Sequence, residues 1–290
     1  MKISVFCPTR GRAEMLCRGI DSLINNTHDL SNLEFIFRFD EDDLDTVSKV
    51  GSYYNCHKVM SINVKNKFKW GESEFNLHAM FSIKHNVTMK FITGKRHGYS
   101  LINRYNDEQM FIADGEYLFH WTDDFEIVDN KKYSGWDTLI REGQDQNYIF
   151  VFRQHNRYQK TSVGPIALPK TWFQLNGRLC PNVLDDWWYE EICKVLPEDT
   201  RVILDWEVKH NNVWRTDQMD ETSKNGRDVF DKERENNTDG YEYYSEEEMF
   251  KIAQHVKDNP NTKKTSQLHD NSLVGTSFSK GSGGSGRWDR

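Results

Sequence analysis

Two adjacent carboxylates, Asp123 and Asp124, close an apolar run (Tyr117, Leu118, Phe119) in the stretch HWTDDFEI, residues 120–127. Adjacent carboxylates at the end of a core strand suit a hard divalent cation, Mg2+ or Mn2+, which keeps part of its water shell and binds substrate phosphates. Three other short polar stretches carry compatible chemistry. PTRGR (8–12) offers Arg10 and Arg12, whose guanidinium groups pair with phosphate oxygens. GKRHG (94–98) offers Lys95, Arg96 and His97, again suited to a diphosphate, and DEDD (40–43) offers Asp40, Asp42 and Asp43 as acceptors for a base and a ribose. Taken singly, each reads as a solvated loop or an acidic turn. Together they supply acidic groups for metal and nucleoside and basic groups for a diphosphate.

These stretches need elements to position them. KISVFC (2–7), EFIFRF (34–39), HKVMSI (57–62), MKFIT (89–93), EYLFH (116–120), YIFVFR (148–153) and RVILDW (201–206) read as strands, short apolar runs bounded by turn residues. Leu16, Ile20, Leu23 and Ile24 recur at helical spacing and predict a helix over 13–25; a second is expected through 100–112. DDWWYEEICKVL (185–196) reads as a third, opened by acidic residues that suit its N-terminal dipole. Residues 63–87 fit either a helix or a hairpin. Strands alternating with helices predict an α/β domain with a largely parallel sheet. Ligands of such sheets bind beyond the carboxyl ends of the strands, where PTRGR, DEDD, GKRHG and TDD all fall. The four loops should therefore converge on one crevice.

With 290 residues and 37% hydrophobic content, the chain is long enough for one large domain and an extension. The expected division is a main domain over 1–220, a charged extension over 221–275 whose EEEMFKIAQHV forms one amphipathic helix able to dock on the core, and a flexible Gly/Ser-rich tail over 276–290. The formal charge of -7 argues against a general binder of nucleic acid or anionic membranes, leaving room for a local basic patch. Cys7, Cys17, Cys56, Cys180 and Cys193 are scattered, without a C-x-x-C pair, which predicts a reducing compartment with no zinc site or disulfide framework. No signal peptide and no bilayer-spanning run is visible, so the expectation is a soluble cytoplasmic protein without a membrane partner, a monomer or small homo-oligomer.

The order strand–PTRGR–helix–strand–FDEDD, then GKRHGYSLINRYN, then ADGEYLFHWTDDFEI, over roughly residues 1–215, resembles inverting glycosyltransferases of the family 2 type. The resemblance implies a GT-A fold, a Rossmann-like α/β sheet flanked by helices, and a nucleotide-sugar donor bound with Mn2+ or Mg2+. It places Pro8, Thr9 and Arg10 beneath the nucleotide, Asp40 at the base, and Arg96 and Asn103 facing the diphosphate and ribose; Arg12 and Asp42 join the donor side on their own chemistry. Asp124 matches the metal ligand, with Asp123 beside it against ribose or metal, and His210 completes the metal shell. An acidic residue at a later helix start serves such enzymes as catalytic base, a role open here to Asp185 and Asp186. Two departures are FDEDDLD, which lacks the Gly-Ser turn usual after the second strand of that family, and TDD in place of a clean D-x-D.

We favour Asp186 as the base and Asp185 as the helix N-cap, the reverse remaining open. Trp136, Trp172, Trp187 and Trp188 read as core, though one or two near Asp186, Trp187 first, could stack on a sugar or a base. Two acceptors fit: a saccharide or other small molecule, or a hydroxymethylated base in DNA. The Asn-, Lys-, Tyr- and Trp-rich, Pro-poor composition is similar to that of large tailed bacteriophage proteins, and FRQHNRYQK (152–160) offers Arg153 and Arg157 to a phosphate backbone. Rival readings are a nucleotidyltransferase, which shares metal carboxylates and basic loops, and a non-catalytic nucleotide-sugar-binding module.

Overall fold

The computed structural model describes residues 1–98, 101–128, 135–154, 165–180, 185–211 and 246–263. Its centre is strand β1 (Ile3–Pro8), an apolar run that Pro8 stops. Helix α1 (Ala13–Asn25) carries the chain back, with Leu16, Ile20, Leu23 and Ile24 on the buried stripe that their spacing predicts. β2 (Leu33–Asp40) then pairs parallel to β1, and all eight of its residues are buried. A strand covered on both faces has no solvent side for its polar residues, so Glu34, Arg38 and Asp40 each need an internal partner.

Helix α2 (Leu44–Tyr53) follows, then a long hairpin of β3 (Cys56–Phe68) and β4 (Gly71–Ser82). The hairpin resolves the stretch that periodicity left open: residues 63–68 and 71–77 alternate in burial with the period of a strand. β5 (Val87–Gly94) returns parallel to β2. Helix α3 (Ile102–Ile112) leads to β6 (Tyr117–His120), parallel to β1 on its other side. The short β7 (Phe125–Ile127), helix α4 (Trp136–Glu142), β8 (Ile149–Gln154), β9 (Ile166–Pro169), helices α5 (Lys170–Asn176) and α6 (Asp185–Val195), β10 (Arg201–His210) and helix α7 (Glu246–Asp258) complete the described chain.

The ten strands form one sheet in the order β3-β4-β5-β2-β1-β6-β9-β8-β10-β7. β4, β7 and β9 run against the other seven, so the sheet is mixed but mostly of one direction, with an unbroken parallel centre β5-β2-β1-β6. Helices cover both faces. Val50 of α2 and Trp136 and Ile140 of α4 join the buried stripe of α1 against one face. Met110, Trp172, Trp188 and Ile192, from α3, α5 and α6, pack against the other, together with Met249, Ile252, Ala253 and Val256 of α7. The helix expected in EEEMFKIAQHV thus docks on the second face. Glu248 fastens it by accepting from Lys69 and Arg178, each at 2.8 Å. Among the described residues no helix is long and apolar enough to cross a membrane.

Candidate active site

The PTRGR turn begins where β1 ends. Thr9 extends the ladder by donating its N–H to the Arg38 carbonyl at 3.0 Å. Gly11 then turns the chain with φ of 67°, a left-handed conformation that a residue without Cβ adopts at little cost. Its N–H is held by Asp43 Oδ2 at 2.8 Å and by the Thr46 hydroxyl at 3.1 Å, so the turn is anchored to the start of α2.

The acidic pair sits one strand away. Thr9 donates its hydroxyl to Asp123 Oδ2 at 2.7 Å, and Arg12 Nη1 donates to Asp123 Oδ1 at 3.1 Å. Asp124 accepts from the Thr122 hydroxyl at 2.6 Å and lies 2.9 Å from His210 Nε2. The local fold explains that contact: β7 leaves the acidic turn and pairs antiparallel with β10, bringing His210 opposite Phe125. α1 presses on the same turn through Gly19, where a Cβ would lie 2.4 Å from the Phe125 carbonyl oxygen.

Both carboxylates are buried, and their titrations split in opposite directions. Burial raises the Asp123 pKa, opposed by Arg12 and reinforced by the charge of Asp124. Asp124 is held below the ordinary range because the interaction with His210, the Thr122 hydroxyl and Arg12 together outweigh its burial. Arg12 bonds Asp123 while His210 meets Asp124, so each carboxylate oxygen has a protein partner. Among the described residues no three His, Cys, Asp or Glu side chains form a ready cation cage. A cation held by Asp123, Asp124 and His210 would need phosphate and water to complete its shell.

Asp40 lies at the end of β2 and forms a second hub. Arg10 Nη1 donates to its Oδ2 at 3.0 Å, while Arg10 Nη2 donates to Asp42 at 2.9 Å. Tyr105 of α3 donates its hydroxyl to Asp40 Oδ1 at 2.8 Å and accepts from the N–H groups of His97 at 2.7 Å and Gly98 at 3.1 Å. The exposed Arg96 approaches Asp40 at 3.8 Å. Asn103 stands half-buried in the first turn of α3.

A charged network beneath this hub escaped the sequence reading. Arg38 and Glu108, both fully buried, pair at 2.5 Å, and Arg38 also donates to the Lys95 carbonyl at 2.9 Å. Glu108 accepts further from the Ser73 hydroxyl at 2.5 Å and lies 2.8 Å from His97 Nε2. His97, whose loop position suggested a diphosphate contact, is thus turned inward; Lys95 and Arg96 remain exposed. The one signal for the network was Arg38 itself, a charge inside the apolar run EFIFRF.

Asp185, Asp186 and Trp187 occupy the first turn of α6, and their side chains lie outside the described residues. The helix is fixed by its next residues: Trp188 and Tyr189 are buried, and the Tyr189 ring packs 6.0 Å from His120, three positions before Asp123. Arg153 has its backbone in β8 opposite Glu207 of β10, its side chain outside the described residues, as is the whole of Arg157. Trp136, Trp172 and Trp188 are core, as expected.

Fold and site together define an α/β protein with two acidic hubs and three arginines at the ends of its adjacent parallel strands β2, β1 and β6. The sequence matches no protein-family model and no curated protein. Among solved structures the chain is similar to S. aureus TarS 1-349 in complex with UDP-GlcNAc, with 12% identity and a TM-score of 0.48 over 76% of this chain and 60% of that one. It is also similar to the TarS 1-349 complex with UDP, with 11% identity and a TM-score of 0.47 over 72% and 60%. A third is the mannosyltransferase PcManGT from Pyrobaculum calidifontis in complex with GDP-Man and Mn2+, with 10% identity and a TM-score of 0.44 over 70% and 56%. The chain therefore spans less than two thirds of the length of these proteins.

Proposed function

We propose that this protein is a metal-dependent, inverting glycosyltransferase that moves a sugar from a nucleoside-diphosphate sugar to an acceptor hydroxyl. The observation that carries the reading is the buried pair Asp123–Asp124, with Arg12 on Asp123 and His210 on Asp124, beside the strand-end loops that bring Arg10 and Arg96 to Asp40. Adjacent carboxylates suit a hard cation, and neighbouring guanidinium groups take phosphate oxygens.

Asp124 and His210 would hold Mn2+ or Mg2+, with Asp123 beside them; the ion supplies positive charge against the leaving diphosphate. Arg12 and Arg96 offset that same charge from the protein side. Arg10, now spread over Asp40 and Asp42, must release part of that contact for Asp40 to accept from a base. The acceptor hydroxyl gives its proton to Asp186 as its oxygen bonds to the anomeric carbon. The bond from that carbon to the diphosphate breaks in step, and the configuration inverts. The acceptor we favour is a saccharide or other small polyhydroxylated molecule, approached past Trp187.

The test is a panel of nucleotide sugars incubated with the protein, with and without Mn2+, scored for released nucleoside diphosphate and for binding by calorimetry. Donor binding that needs the cation supports the reading. Full-affinity binding in EDTA would sink the metal assignment, and no binding of any nucleotide would sink the reaction class.

A further inference from the structure

Helix α6 carries Asp185 and Asp186 in its first turn, and one turn further on Tyr189 reaches the end of β6. The alternation of that strand turns Leu118 and His120 to the face that the second core covers, where His120 lies beside Phe6 of β1 and Ile166 of β9. His120 is the last residue of β6. Its ring stacks on Phe6 with centroids 4.9 Å apart, and Tyr189 closes over it edge-on at 6.0 Å. Both rings are buried, His120 at 7% exposure and Tyr189 at 2%. The Tyr189 hydroxyl lies 3.4 Å from His120 Nδ1.

Packing alone does not call for these two side chains. Their neighbours Phe6, Leu118 and Ile166 are apolar, and a phenylalanine at either position would fill the space with no polar atom to satisfy. A buried imidazole and a buried phenol each cost free energy unless their polar atoms meet a partner, and here they face each other. The apolar contacts of Trp188, Ile192 and Leu196 press α6 onto the sheet without direction. A hydrogen bond adds a preferred distance and angle, and so resists sliding and rotation of the helix.

Each side of the contact leads to a candidate functional residue. His120 stands three positions before Asp123, and Tyr189 three after Asp186, about 4.5 Å along the helix axis. We infer that His120 and Tyr189 are positioning residues, whose contact holds the first turn of α6 at a fixed separation from the acidic turn. The inference rests on the reading of α6 as the helix that carries the general base. A base must stand within hydrogen-bond reach of the proton it takes, and a displacement of about 1 Å can cost a reaction about 10²-fold. The pair acts on the transfer step through α6, while the loops that would bind the donor, after β1, β2 and β5, are built without it.

The test compares Tyr189→Phe with the parent in nucleotide-sugar turnover and in calorimetric donor binding. Loss of the hydroxyl should lower kcat about tenfold and leave the donor KM and Kd unchanged. His120→Phe should do the same, and the double variant should be no slower than either single one. In the background of whichever of Asp185→Asn and Asp186→Asn removes the base, Tyr189→Phe should slow transfer no further, because no base is left to place. Tyr117→Phe is the matched control: it removes an equally buried hydroxyl, bonded to the Gly143 and Gln146 carbonyls at the other end of β6, and should lower stability with kcat unchanged. A parent that turns over no donor sinks the reaction class and this inference with it. With an active parent, the positioning role alone is overturned if Tyr189→Phe keeps full kcat, weakens donor binding, or slows the base variant as much as the parent. Additive losses from the two rings overturn it as well, as does a base found at neither Asp185 nor Asp186.

Discussion

Thr9 and Asp123, 114 positions apart in the chain, are joined by a hydroxyl-to-carboxylate hydrogen bond of 2.7 Å that ties the end of β1 to the acidic turn after β6. Both residues are buried, so water cannot replace the bond when it is lost. Thr9→Val keeps the shape and removes the donor. Stability should fall by about 1–3 kcal/mol, the cost of leaving a buried acceptor short of a partner. Urea unfolding checks this, and Thr9→Ser should restore most of the loss; a Val variant as stable as the parent would show that Arg12 alone suffices.

Arg38 and Glu108 form a fully buried ion pair beneath the Asp40 hub. Glu108→Leu strands a buried guanidinium and should cost about 3–5 kcal/mol. Arg38→Met strands the carboxylate in turn. The double variant should cost less than the sum of the two, because it leaves neither charge unpaired. Denaturant midpoints of the four proteins give the coupling; strict additivity would mean that the two charges do not sense each other.

Asp107 of α3 accepts from Leu179 N–H and Trp70 Nε1, both at 3.0 Å, yet burial pushes its pKa up to about 7. Between the ordinary carboxylate pKa and about 7 the native state holds this proton and the unfolded chain does not. The native state therefore binds more protons, and this residue lowers stability as pH rises through that window, with no further effect above it. Asp107→Asn should flatten that part of the stability profile. Thermal melts from pH 4 to pH 8 check it; an unchanged slope in the Asn variant would assign the dependence to another group.

Two aspartates should separate binding from chemistry. Asp124→Asn should abolish metal-linked nucleotide binding while the fold persists. Asp186→Asn should keep donor affinity and slow transfer by about 10²–10⁴-fold, the scale of general-base loss. If Asp185→Asn slows transfer instead, the two roles in the first turn of α6 are exchanged.

The acceptor is tested through Arg153 and Arg157. With a saccharide acceptor, changing both to Glu leaves transfer intact and hydroxymethylated duplex DNA shows no binding at low salt. Binding of that duplex that weakens in the variant and loses salt dependence would redirect the assignment to a nucleic-acid acceptor.

The sequence by itself determined the apolar runs of β1, β2, β5 and β6, the helix over 13–25 and the positions of four polar loops. These are local properties: a period of about 3.6 or 2 and a stop at Pro or Gly are set by neighbours within a few residues. It also led to the expectation that the loops converge, because parallel strands place successive carboxyl ends on one edge. Only the tertiary structure decided how the loops pair. Arg10 goes to Asp40 and Asp42, Arg12 to Asp123, and His210 to Asp124 through the antiparallel pairing of β7 with β10. It alone turned His97 inward to Glu108, and extended β3 into a hairpin where 63–87 had two readings. A side chain's partner depends on which strands become neighbours, and strand order is settled by burying both sheet faces at once, an interaction between segments far apart in the chain.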